Sequence, residues 1–169
     1  MNWEAAGAIG EIVGALAVVI TLVYLAVQLR QNAMSQRATV EQQIATGLSE
    51  SFRINADTDI PRIWALAYRD FAELTEIEAA KFAFFLFSHL KQFEHAYIQH
   101  EMGNLSDVSW EAIDRTFRET VTISDGARQY WKFRRTAFHE GFCAHVDRAL
   151  LKDVTENREA IIDFLTPER

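Results

Sequence analysis

Eighteen consecutive residues, Ile12–Leu29, carry no charge, and Arg30 follows them directly. At 1.5 Å per residue, a helix over this run is about 27 Å long, close to the ~30 Å hydrocarbon core of a bilayer. Back to Ala5, only Glu11 interrupts the apolar pattern. A soluble helix ordinarily keeps a polar face, and this run has none for about five turns. It therefore predicts a membrane-spanning helix ahead of a soluble domain, with the lipid bilayer as the first partner. The competing reading is a buried core helix of a soluble protein.

Charge sets the expected sidedness. The residues before the run carry Glu4 and Glu11 but no Lys or Arg. A cleavable signal peptide needs a positive leader and a small-x-small site, and Gln28-Leu29-Arg30-Gln31-Asn32 supplies no such site. Arg30 and Arg37 flank the C-terminal end, so the positive-inside rule places the N-terminus outside and the rest in the cytoplasm. Trp3 and Tyr24 suit the two membrane interfaces. Gly10 and Gly14 form a G-x-x-x-G, extended by Gly7, a small-residue face on which two spanning helices can approach closely. Glu11 lies one turn inside the apolar boundary. A carboxylate there either reaches the interface or serves a function, such as a ring of Glu11 side chains in an oligomer.

Beyond residue 30 the spacing is helical. The expected organisation is a transmembrane anchor (1–30), a polar helix or stalk (31–56) and an α-helical cytoplasmic domain (57–169). Val40, Ile44, Leu48 and Phe52 recur every fourth residue in the stalk, and whether the span runs into it unbroken is left open. Asp59 before Ile60-Pro61 reads as an N-cap for a short helix to about Leu74. Thr75 and Glu78 form a capping box that opens a helix to Met102, with Gly103 just past its end. The middle of that helix, Phe82–Leu90, is apolar nearly all round and reads as the central helix of the domain. Ser109 reads as the cap of a helix bearing Trp110, Ile113, Phe117 and Val121, and Ser124-Asp125-Gly126 breaks it. A helix with Tyr130, Trp131 and Phe138 follows, then one with Phe142, Val146, Leu150 and Leu151, then a short one with Ile161, Ile162 and Phe164. Two Pro and seven Gly are too few for a turn-rich all-β domain. The fold class is all-α: one N-terminal transmembrane helix followed by an antiparallel bundle of about six helices.

Ile9-Gly10-Glu11, Gly14-Ala15 and Tyr24 through Asn32 resemble the opening of a widespread, functionally uncharacterised group of short bacterial proteins. In that group one spanning helix precedes an α-helical domain. Gly126-x-Arg128-x-x-Trp131, then Phe138, Phe142 and Val146, is similar to the group's C-terminal part. The resemblance implies a bacterial inner-membrane protein and lends no activity.

No residue pattern points to catalysis. His89, Glu94, His95, His100 and Glu101 share one helix, but no two of them stand at the i, i+3 or i+4 offsets that bring a His-containing ligand pair onto one face. His139-Glu140 with His145 misses the His-Glu-x-x-His spacing of zinc hydrolases. Cys143, the single cysteine, lies in an apolar stretch and reads as a small buried hydrophobe. A net charge of −7 makes nucleic acid a poor partner. Arg128, Lys132 and Arg135 recur beside Trp131 and form a possible lipid or partner contact, against the plainer reading of a solvated basic face. No catalytic, cofactor-binding or metal residue is therefore assigned. The expected role is non-enzymatic: homo-oligomer or membrane-complex assembly through Gly7, Gly10 and Gly14. The alternative is an oligomeric channel or membrane sensor with Glu11 in the pore, and an enzyme is third.

Overall fold

The computed structural model describes residues 3–151, and within them the side chains of residues 3–6, 8, 9 and 120–123 are not described. The expected helix around Ile161, Ile162 and Phe164 lies outside the described residues. Among these, every regular element is helical: α1 (Trp3–Ala56), α2 (Ile60–Arg69), α3 (Glu76–Glu101), α4 (Asp107–Ile123), α5 (Asp125–Arg134) and α6 (Glu140–Leu151). Short 3₁₀ turns at Phe71–Glu73 and Arg135–Ala137 complete the set. The apolar run and the polar stretch after it form one continuous helix, α1. Contacts divide the chain into two compact units between Thr39 and Val40.

In the first unit, α1 holds an 18-residue window of mean hydropathy 2.5, and none of it is buried within the protein. It is long and apolar enough to cross a membrane.

The second unit has a core. Ile63, Phe82, Leu86, Phe93, Phe117, Trp131, Phe142 and Val146 are each 2 % exposed or less. They come from α2 to α6, and α3 packs against α2, α4 and α6, as its apolar middle requires. The residues of α1 from Val40 onward belong to this unit. Ile44 is buried with Ala96 and Leu105, and Val40 and Leu48 pack on that cluster. The stretch expected as a stalk therefore carries core residues in its second half.

Local signals explain most boundaries. Thr75 Oγ1 accepts from the Glu78 N–H, and the Glu78 carboxylate accepts from the Thr75 N–H, closing the expected capping box. Gly103 has φ +72°, a left-handed conformation that glycine adopts without a Cβ penalty, and it ends α3. One cap differs from the expectation. Ser106, not Ser109, caps α4; its Oγ accepts from the Ser109 N–H at 3.3 Å. The Glu41 carboxylate fixes the choice by accepting from the Ser106 N–H and the Ser109 hydroxyl. The helix expected to hold Tyr130, Trp131 and Phe138 stops at Arg134, and Phe138 follows the 3₁₀ turn as a buried residue. Asp59 stands at the N-cap of α2 but makes no capping bond; its carboxylate takes the Lys81 ammonium at 2.6 Å.

Candidate functional sites

On α1 the candidate residues lie on an uncovered surface. Ile12, Leu16, Val19 and Val23 are 55–69 % exposed. Contiguous apolar surface on this scale is rare on a water-soluble monomer. The polar side chains within the run are satisfied by their own helix. The Thr21 hydroxyl donates to the Ala17 carbonyl at 2.8 Å, and the Gln28 amide donates to the Tyr24 hydroxyl at 2.7 Å. In hydrocarbon, where no water is available, such groups need an internal partner. Gly7, Gly10 and Gly14 are exposed, and a Cβ on any of them would meet no described atom within 4 Å. At 100° per residue the three fall within about 60° of arc, so they form one flat strip. Glu11 is exposed on the same helix, beside the strip.

The basic cluster of α5 and the 3₁₀ turn after it does not form a single exposed face. Trp131 is only 2 % exposed, which corrects its reading as a surface contact. Its indole N–H donates to Asp147 Oδ1 at 2.9 Å, while Arg135 pairs with Asp147 Oδ2 at 2.5 Å. Trp131 and Arg135, one turn apart, thus grip both oxygens of one α6 carboxylate. Arg128 is half-buried, and Lys132 remains exposed. Gly126 is buried because the Phe71 ring occupies the space a Cβ would take. The motif Gly126-x-Arg128-x-x-Trp131 therefore places two of its residues in packing.

Further polar networks among the described residues tie the second unit together. Asp114, 6 % exposed, meets His145 Nε2 at 2.6 Å and Arg118 at 2.7 Å. Glu94, also buried, accepts from Lys91 at 2.7 Å and from the His139 N–H at 2.5 Å. His100 stacks on Trp110 at 5.1 Å and reaches Asp107. Sequence spacing shows only the Asp114–Arg118 and Lys91–Glu94 pairs, at helical offsets; the histidine partners come from other elements. His89 lies deeper, 3 % exposed among Phe52, Trp64, Phe85 and Phe93, and burial pushes its pKa down to about 4. The Cys143 thiol is buried, donates to the Arg135 carbonyl at 3.2 Å, and has its pKa raised by that burial. A thiol held protonated is a poor nucleophile. Among the described residues, no group of three or more His, Cys, Asp or Glu side chains is placed to hold a metal ion.

No protein-family model, no curated protein and no solved structure matches this chain.

Proposed function

We propose that the chain is a single-pass protein of the bacterial inner membrane, with its N-terminus outside and its second unit, an antiparallel helical bundle, in the cytoplasm. Its role is non-enzymatic: α1 associates with further copies of itself, or with a larger membrane complex, along the Gly7, Gly10 and Gly14 strip. The observation that carries this reading is the contrast in burial. A window of mean hydropathy 2.5 has no cover within the protein, whereas Phe82, Phe93, Phe117, Trp131 and Phe142 of the second unit are buried. The internally bonded Thr21 and Gln28 support immersion in lipid. The side chain at Gly10 adds no bulk, so two backbones can come into van der Waals contact.

The test is cysteine crosslinking in native membranes, in a Cys143→Ala background. Gly10→Cys and Gly14→Cys are expected to give a disulfide-linked species of higher mass. Ile12→Cys, about 140–160° around the helix from the three glycines and at the same depth, is expected to give little. Full-length protein that stays in the supernatant after high-speed centrifugation without detergent removes the span. Equal crosslinking at positions 10, 12 and 14 removes the strip.

A further inference from the structure

A cavity of about 390 Å³ opens where the last turns of α1, the first turn of α2 and the middle of α3 meet. All of its described lining residues belong to the second unit. Its wall is aromatic: the ring centroids of Phe52, Trp64 and Phe85 lie 5.2, 6.4 and 4.8 Å from that of His89. Ile60 extends the apolar lining, and none of the described lining residues is Asp, Glu, Lys or Arg.

Two polar side chains, Asn55 and His89, reach this space. The Asn55 amide already donates to the Ser51 carbonyl within α1 at 2.7 Å. His89 is the less satisfied of the two. Its Nδ1 lies 3.5 Å from the Ser51 hydroxyl, at the outer limit of a hydrogen bond. Among the described residues this weak contact is the hydrogen bond that the buried imidazole makes, and each of its ring nitrogens is a donor or an acceptor, so the ring has capacity for a further partner. Phe52, 57 % exposed, forms the lip of the opening.

We infer that this cavity binds an uncharged small molecule with an aromatic or compact apolar body and a single hydroxyl or carbonyl group, which hydrogen-bonds to the His89 ring. The volume lies within the range of small-ligand sites, about 300–1,000 Å³. The rings offer edge and face contacts to a flat apolar body. The absence of charge among the described lining residues, and an imidazole kept neutral by burial, both disfavour a charged ligand, whose desolvation nothing in the wall offsets. Because a neutral imidazole both donates and accepts, it serves a hydroxyl or a carbonyl. This inference is independent of the membrane reading.

The test uses two photoreactive probes on the full chain in lipid nanodiscs. One is trifluoromethyl-phenyldiazirine carrying a hydroxymethyl group in the para position; the other is the same diazirine without it. After illumination, peptide mapping is expected to show saturable labelling in segments 52–64 and 85–89. The hydroxylated probe should label about threefold to tenfold more efficiently, the value of one net hydrogen bond. Ala56→Trp fills the rim from an exposed position and should abolish the saturable labelling, with helix content unchanged. His89→Phe should make the two probes equal; where that variant fails to fold, the probe pair and Ala56→Trp decide. Labelling that never saturates, that spreads evenly over the second unit, or that is the same for both probes on the native chain overturns the inference.

Discussion

Ile12–Leu29 in α1 and Phe82–Leu90 in α3 are both apolar almost all the way round the helix, yet they have opposite surroundings. In α3, Phe82, Leu86 and Leu90 are 0–1 % exposed, because α2, α4 and α6 close over them, while Phe84, 78 % exposed, stays outside that cover. In α1, Leu16, Val18 and Val19 are 55–59 % exposed, with no described helix over them. Hydrophobicity states that a segment must leave water. What it leaves water for depends on the rest of the chain. α3 is punctuated by His89 and Lys91 and has partners with matching faces, so it leaves water for protein. α1 runs for 18 residues without a charge and leaves water for lipid in the proposed reading.

The largest effect that tests this comparison comes from the covered side. Phe117→Ala removes a side chain of 0 % exposure that contacts Phe93 at 4.9 Å and Phe142 at 5.5 Å between ring centroids. It should cost about 3–5 kcal/mol, seen as a large fall in thermal midpoint in detergent, with membrane retention unchanged. Leu16→Ala in α1 should move the midpoint far less, because Leu16 is 59 % exposed and no described helix packs over it. A cost at Leu16 equal to that at Phe117 breaks the comparison.

Next in size is a charge in the middle of the apolar run. Val19→Arg should disfavour membrane insertion by about 2.5–3.5 kcal/mol and shift the chain out of the membrane fraction. Val108→Arg, at an 80 % exposed position on α4, should shift nothing. Retention of Val19→Arg in carbonate-washed membranes at the native level would falsify the lipid reading of α1.

Local chemistry made much of this fold readable from sequence. The apolar run, the Thr75–Glu78 box, Gly103 and the Phe-rich centre of α3 each depend on neighbours within a few residues, and each stands where its pattern placed it. The misreadings are long-range. Ser109 and Ser106 are chemically equal caps until Glu41, some 65 residues away, engages both. Trp131 looked like part of a basic surface because Asp147, its partner, lies on the next helix. The candidate sites follow the same rule. The Gly7, Gly10 and Gly14 strip is visible at helical spacing. The cavity at His89 is not, because Phe52, Trp64 and Phe85 meet only after three helices pack.

A pH titration sharpens the contrast on the covered side. With its pKa lowered to about 4, His89 is neutral in the folded chain at pH values where the unfolded chain already binds a proton. The unfolded state therefore takes up more protons between the ordinary value of about 6.5 and 4. His89 imposes no penalty above pH 6.5. Below it, stability should fall by up to about 1.4 kcal/mol per pH unit, levelling off near pH 4. Thermal midpoints of native and His89→Phe protein across that window measure the slope. A slope unchanged by the substitution contradicts burial of a neutral imidazole among the rings.

The smallest effect concerns how α3 begins. Thr75 Oγ1 accepts one of the unpaired N–H groups of the first turn, and Glu78, with its pKa drawn down to about 2 chiefly by Arg62, returns a bond to the Thr75 N–H. Thr75→Ala should cost about 1 kcal/mol, and Thr75→Ser should restore most of it. Amide exchange should quicken over residues 76–79 and stay slow from Phe82 onward, because side-chain cover and not the cap protects the centre of α3. Fast exchange spreading through Leu90 in Thr75→Ala would mean that the covered helix depends on its end as much as on its neighbours. The distinction from α1 would then rest on capping as well as on burial.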